Sequence, residues 1–376
     1  MKRTGTAYLP LHYGRAPRWL ITRMRKLAHE IASVIVDEYG TEEFLRRISD
    51  PWWFQCLGCI LGYDWHSSGV TTVVTGVLKS AIDPEGHGLA VCGGKGRTSV
   101  RAPVEISHAG EEFGLSTDRI DRLRYASRMS AKVDNTAVQA GYRLYHHAFF
   151  LTEKGNWAVV QQGMSLGDRT ARRYHWLSEH VGSFVVEPHD AIVGDARREV
   201  ALDMTAVDSE GCRKTSVDVI REEPRKVLRM LKSVRPSHQR SLQEWMPKVQ
   251  WKEYVADVLS MPQSLNWKAV KKAYEFQPQN YEELFGIRGI GPATVRGLAL
   301  ISELIYGEPP SWRDPVKYSF AYGGKDGVPH PVDRRAMDES VQVLRDAIQR
   351  ARVGSKERLK SLQRLRGFVP RDRGVQ

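Results

Sequence analysis

Eleven residues constrain this chain more than any others: Phe285-Gly-Ile-Arg-Gly-Ile-Gly-Pro-Ala-Thr-Val295, followed by the apolar run Leu298, Ala299, Ile301 and Ile305. Asn280 is placed to cap a short helix, with Glu283 as its capping-box partner. Gly286 is expected to end that helix in the left-handed conformation. Gly289 and Gly291 carry no Cβ, so an anion can approach the backbone amides closely. Pro292 suits the first turn of a second helix, where its missing donor costs nothing. The start of that helix offers free N–H groups and the positive end of its dipole. Arg288 and Arg296 add charge beside it. The pattern predicts two helices joined by a turn that holds an anion on its backbone.

Composition agrees with an anionic partner. The 376 residues carry a net charge of +12, which favours a polyanion. Half of that excess falls in 351–376, where eight Lys or Arg face only Glu357 and Asp372. That tail reads either as a solvated end or as an arm for nucleic acid. Of four cysteines, Cys56 and Cys59 form a CxxC, while Cys92 and Cys212 stand apart. One CxxC lacks the second ligand pair of a structural zinc site. Flanked by Trp52-Trp53-Phe54 and Ile60-Leu61, it reads as buried thiols. Sparse cysteine, no signal peptide and no long apolar run point to a cytosolic protein without a membrane partner.

Periodicity predicts an α+β chain. Leu20, Met24, Leu27, Ile31 and Ile35 share one helical face. Glu42 to Ile48 and the apolar stretch from Trp52 to Leu61 read as further helices. Thr71 to Leu78 is β-branched yet able to continue into a helix. Ser116 to Tyr142 reads as mostly helical. Ala148–Leu151 and Ala158–Gln161 read as strands paired across Lys154-Gly155-Asn156, and Phe184–Glu187 as another. Residues 1–200 are thus expected to form a mixed α/β domain with few strands. The polar segment 201–224 reads as a linker, 225–350 as a mainly helical domain holding the glycine turn, and 351–376 as a basic tail. Within 225–350, Val227, Leu228 and Leu231 begin one helix, Trp251 to Leu259 make another, and Lys268 to Phe276 a third. Val341, Leu344 and Ile348 mark an amphipathic helix near its end.

Four polar clusters lie in apolar settings. Asp64 and His66 stand within Tyr63-Asp-Trp-His-Ser-Ser68, able to orient a water or a metal or to cap a helix. Lys95 and Arg97 lie in Gly93-Gly-Lys-Gly-Arg-Thr98. This run fails the spacing of a nucleotide-hydrolysing phosphate loop but can still hold a nucleic-acid phosphate. The densest cluster joins Lys132, Asp134, His146, His147, Gln161, Gln162, Arg172 and Arg173. Lys132 and Asp134 are candidates to position a scissile phosphate, and Arg172 and Arg173 to clamp phosphates. On a strand, His146 and His147 point to opposite faces, so only one can join a given site. No D…ExK set and no HxH pair is present. The fourth cluster, after the glycine turn, holds Asp314 and Asp333.

Two resemblances follow. Residues 280–306 resemble a helix-hairpin-helix, a module that grips nucleic-acid backbone without reading bases. The Val332-Asp333 pair resembles the aspartate segment of helix-hairpin-helix base-excision glycosylases, although Ala293 replaces the lysine of their lyase members. The gap from the turn to Asp333 is also longer than usual there, Asp314 competes for the role, and helix capping explains Asp333 equally well. Across nearly the whole chain, Leu9-Pro-Leu-His-Tyr-Gly-Arg-Ala-Pro-Arg-Trp19, Asp64-Trp-His-Ser-Ser-Gly69, Cys92-Gly-Gly-Lys95, Tyr145-His-His147, Val160-Gln-Gln-Gly-Met164, Arg172-Arg-Tyr-His-Trp176 and Trp312-Arg-Asp-Pro315 resemble a prokaryotic, largely archaeal family known as domain of unknown function 763. That resemblance implies no activity.

Three functional readings stand at this point. The first is a nuclease-like hydrolase in DNA processing or repair. It would use a divalent cation, magnesium or manganese, with Asp64 and Asp134 as candidate ligands and Asp64, His66, Lys132, Asp134 and His146 as catalytic candidates. The second is a non-catalytic protein that recognises DNA structure through Gly286, Arg288, Gly289, Gly291 and Arg296, helped by Lys95, Arg97, Arg172 and Arg173. The third is a glycosylase using Asp333. DNA is the expected partner in all three.

Overall fold

The structure is a computed structural model that describes residues 18–62, 69–167, 169–194, 197–234, 261–316 and 334–368. Its centre is a five-stranded antiparallel sheet ordered β1 (Leu89–Lys95), β3 (Arg143–Thr152), β4 (Trp157–Ser165), β5 (Thr170–Leu177) and β6 (Ala191–Val193). Strands β2 (Val138–Gln139) and β7 (Leu202–Asp203) form a separate pair. The expected hairpin is present, with Ala148 opposite Val160 and Leu151 opposite Trp157. Phe184–Glu187 is not a strand, although Val185 packs into the core.

Both faces of the sheet are covered, because strand alternation presents apolar side chains on each. Phe149, Val159, Tyr174 and Trp176 point to one core, and Ala148, Phe150, Val160 and Leu177 to the other. The second core is closed by α1 (Arg18–Tyr39), α2 (Thr41–Ser49), α3 (Pro51–Leu61) and α4 (Gly69–Ala81). Asp50 starts α3 by accepting from the amides of Trp52 and Trp53 at 2.7 and 3.1 Å, one of the side-chain caps a helix start needs. The short α5 (Pro84–His87) follows. The first core is closed by α6 (Ala102–Glu112), α7 (Thr117–Thr136), α8 (Glu210–Ile220), α9 (Pro224–Ser233), α10 (Trp267–Phe276), α11 (Tyr281–Gly286) and α12 (Pro292–Tyr306).

This packing differs from the expected chain organisation. The segment read as a linker carries β7 and α8, with Cys212, Val219 and Ile220 buried in the same core as the sheet. Its polar residues face outward and hid an amphipathic helix. The basic tail also departs from an arm or solvated end. After α13 (Arg334–Arg350), α14 (Ser355–Phe368) buries Ser361 and Leu365 against the N-terminal layer, and Arg364 donates to the Ile60 carbonyl at 2.9 Å. Leu344 and Ile348 of α13 are buried in that layer too. The helix expected over Trp251–Leu259 lies outside the described residues. Among the described residues, no helix is long and apolar enough to cross a membrane. All four cysteines are free; Cys56 is buried, its thiol pushed well up by desolvation, while Cys59 is partly exposed.

Candidate nucleic-acid interface

Helices α11 and α12 flank the turn 287–291 as the sequence suggests. Asn280 accepts from the Glu283 amide at 2.9 Å, and Glu283 returns a bond to the Gln279 amide at 2.8 Å. One detail is corrected. Gly289, not Gly286, takes the left-handed conformation, at φ +98°. A Cβ on Gly289 would also meet Asn266 Nδ2 at 2.9 Å and Ala269 at 3.0 Å, so this glycine is required twice over. Gly291 is extended and begins α12 without a side-chain cap. Arg288 is exposed.

The turn is seated by the end of α7. Lys132 Nζ donates to the carbonyls of Phe285 and, at 2.8 Å, Ile287. The Phe285 carbonyl lies at the end of α11, where helical partners run out, and the Ile287 carbonyl also accepts from the Ile290 amide at 3.3 Å. Just past α7, Gln139 Nε2 donates to the Pro292 carbonyl at 3.0 Å while its oxygen accepts from Arg296 at 3.0 Å. Lys132 and Gln139 therefore grip the turn from both sides. Burial pushes the Lys132 ammonium down to about 8, so it stays mostly charged at neutral pH. Its role in this structure is to hold the turn.

The same turns of α7 face a second feature. Asn135 Oδ1 accepts from the Leu144 amide at 3.3 Å, tying the start of β3 to α7. One to two turns back, Ala131, Arg128 and Ser127 line a cleft of about 280 Å³ together with Ser99, Val100 and residues 144–147 of β3. The glycine-rich segment lies at this end of the sheet. It forms the end of β1 and a 3-10 turn over Gly96–Arg101, with Lys95, Arg97 and Arg101 exposed beside exposed Arg128 and Arg143. The Lys95 ammonium lies 6.0 Å from the Tyr145 ring centre, within cation–π range. Gly93 is fixed by geometry: at φ +89°, a Cβ there would sit 2.3 Å from the His147 carbonyl oxygen. Lys79 and Glu105 hold its carbonyl and amide at 2.8 and 2.7 Å.

Strand alternation divides the dense polar cluster into two rows, buried except for exposed Lys95 and half-buried Gly94 on β1. Gly94, His147, Gln161 and Tyr174 are paired across neighbouring strands, as are Lys95, His146, Gln162 and Arg173 one residue along. The two rows point to opposite faces. On the first face, Asp134 is wholly buried. Its Oδ2 accepts from Trp176 Nε1 at 3.0 Å and from Gln161 Nε2, and its Oδ1 meets His189 Nε2. Gln161 Oε1 lies 2.8 Å from His147 Nδ1, and His147 Nε2 lies 2.9 Å from Ser127 Oγ. On the second face, His146 Nε2 meets Thr75 Oγ1 at 2.9 Å, and burial pushes its imidazole down to about 3. Arg173 donates to Gln55 Oε1 at 3.1 and 3.2 Å over the Phe54 ring.

The catalytic candidates therefore do not meet. Asp134 and His146 lie on opposite faces, and Lys132 is turned toward the glycine turn. Asp64, His66 and Asp333 lie outside the described residues. Arg172 and Arg173 are fully buried, so neither offers its guanidinium to a phosphate at the surface. Arg172 instead pairs with buried Asp314 at 2.6 Å, and Asp314 also accepts from the Arg198 amide at 2.6 Å. Asp134 does not fit a metal ligand, since both oxygens are taken by N–H groups. Among the described residues, no group of three His, Cys, Asp or Glu side chains is placed to hold a metal. Sequence reasoning missed Ser127 and Arg128. The signal was available, since Ser127, Ser130 and Asp134 recur at helical spacing on the face of α7 that meets the strands.

A chain of this α+β build, with a glycine turn seated on the end of α7, matches no curated protein and no solved structure. It belongs to the family described as protein of unknown function DUF763, whose model matches residues 5–332.

Proposed function

We propose that this protein binds DNA through its backbone, as a component of DNA processing, with α7 as the spine of the interface. The single observation behind this reading is the double attachment of α7. Its last turns hold the glycine turn through Lys132, and its preceding turn lines the cleft beside Lys95 and Arg97. Two phosphate-holding features of different kinds are thereby fixed on one helix. The start of α12 supplies amides and a dipole, and the exposed cations supply charge. Neither feature presents a base-reading element, so binding is expected to be indifferent to sequence.

Fluorescence anisotropy on labelled duplexes of unrelated sequence tests this. Replacing Arg288 by Glu, or Lys95 and Arg97 by Glu, should weaken binding to every duplex alike and flatten its salt dependence. Unchanged binding in both variants would remove the proposal.

A further inference from the structure

Ser127, His147, Gln161 and Asp134 form a directed chain of hydrogen bonds that ends at the cleft. Trp176 Nε1 can only donate, and it meets Asp134 Oδ2 at 3.0 Å, so that oxygen is an acceptor. Gln161 must then turn its amide nitrogen toward Asp134 and its oxygen toward His147. The reverse orientation would set the Gln161 and Asp134 oxygens against each other. His147 Nδ1 consequently carries the proton and donates to Gln161. Its Nε2 carries a lone pair, and Ser127 Oγ, 2.9 Å away, donates its proton there. Ser127 and His147 both line the 280 Å³ cleft. Each polar atom along this chain thus has its proton assigned by the next one.

We propose that Ser127 is the nucleophile of a phosphodiester-cleaving site, with His147 as its base and Gln161 and Asp134 as positioning residues. A hydroxyl bonded to an imidazole that is itself oriented by a third group is the arrangement that activates a serine. The phosphodiester class rests on the DNA-binding reading above and on the exposed Arg128, which follows Ser127 on α7 and lines the same cleft. In the first step Ser127 Oγ bonds to phosphorus while its proton passes to His147 Nε2. The bond from phosphorus to the sugar oxygen opposite Ser127 breaks, and that oxygen takes a proton from water to leave as a free hydroxyl. The hydroxide so formed attacks the phosphoserine from that side, and Ser127 departs with the proton held on His147. Burial and Gln161 act in opposite senses on His147; burial prevails and holds it below its ordinary value, which keeps the base form present at neutral pH.

The experiment uses the full chain and two readouts. A tagged fluorophosphonate, which bonds to activated serine oxygens with loss of fluoride, is followed by peptide mass spectrometry. The proposal expects an adduct on Ser127 that is absent in Ser127→Ala. The labelling rate should hold from about pH 8 down to about 6.5, because His147 titrates below the ordinary imidazole value. In His147→Gln it should fall about 100-fold or more. A merely structural serine takes no label, so an unlabelled Ser127 in the wild-type chain overturns the proposal without recourse to any variant. The second readout incubates the wild-type chain with end-labelled single-stranded, duplex and forked oligonucleotides. Cleavage or a protein-linked oligonucleotide, lost in Ser127→Ala, supports the phosphodiester class. Labelled Ser127 with intact DNA binding and no cleavage or adduct overturns that class. Labelled Ser127 with no DNA binding at all refutes the DNA-binding reading and, with it, the substrate class, while leaving the activated serine supported.

Discussion

Mild acid should destabilise this fold well before its carboxylates titrate, because it buries imidazoles in neutral form. His146 is pushed down to about 3 and His175 well below its ordinary value, in both cases chiefly by burial. Neither has a second acceptor for an added proton: His146 Nδ1 and His175 Nε2 have no hydrogen-bond partner. In the unfolded chain both titrate near 6.5. Between that value and their folded values, the unfolded state binds more protons, so stability is full above about pH 6.5 and falls as pH drops. At about pH 5 His146 alone has cost about 2 kcal/mol, and His175, lowered in the same direction, adds to that loss. That is a large share of a typical 5–15 kcal/mol. His147, also lowered, adds to the loss over part of the window. Urea denaturation followed by circular dichroism at pH 7, 6 and 5 measures this directly. His146→Gln and His175→Gln, each compared with wild type across the same range, should each remove about one proton of uptake from the slope. A stability that is flat from pH 7 to 5 would refute the assignment of neutral buried imidazoles.

Other perturbations follow from single contacts. Asp314→Ala leaves the buried guanidinium of Arg172 without its carboxylate and should cost about 3–5 kcal/mol in denaturant unfolding. Gly289→Ala combines left-handed strain with contacts near 3 Å and should cost about 2–4 kcal/mol while weakening DNA binding. Lys132→Met leaves the Phe285 and Ile287 carbonyls without their ammonium. It should loosen the turn, seen as faster amide hydrogen exchange at residues 287–291, with exchange in β4 unchanged.

Much of the scaffold was legible in the sequence because apolar spacing records burial. The face of α1, the apolar α3, the β3–β4 hairpin and the two helices around the glycine turn all follow from it. The split between His146 and His147 also follows, from strand alternation alone. What periodicity could not show is which faces the third dimension covers. In β5, Arg172, Arg173 and His175 stand among residues that are all buried, yet their chemistry reads as a surface cluster, because one sequence cannot reveal Asp314 or Gln55 waiting as partners. The segment 201–224 reads as a linker for the same reason: its polar outer face outweighs Cys212, Val219 and Ile220. Lys132 reads as catalytic because its acceptors, two backbone carbonyls more than 150 residues away, leave no mark on side-chain patterns. Ser127 was passed over although its spacing to Ser130 and Asp134 sets it on the same helical face, because nothing in the sequence shows that His147 meets that face.

The central claim is that the glycine turn and the Lys95–Arg97 segment belong to one interface carried by α7. The salt dependence of DNA affinity in a double-mutant comparison tests it most directly. Arg288→Gln should lower the slope of log affinity against log salt by about 1 and Lys95→Gln with Arg97→Gln by about 2. The combined variant should lose about 3 on the same duplex. A combined variant whose slope equals that of either parent, or equals the wild type, would contradict the account.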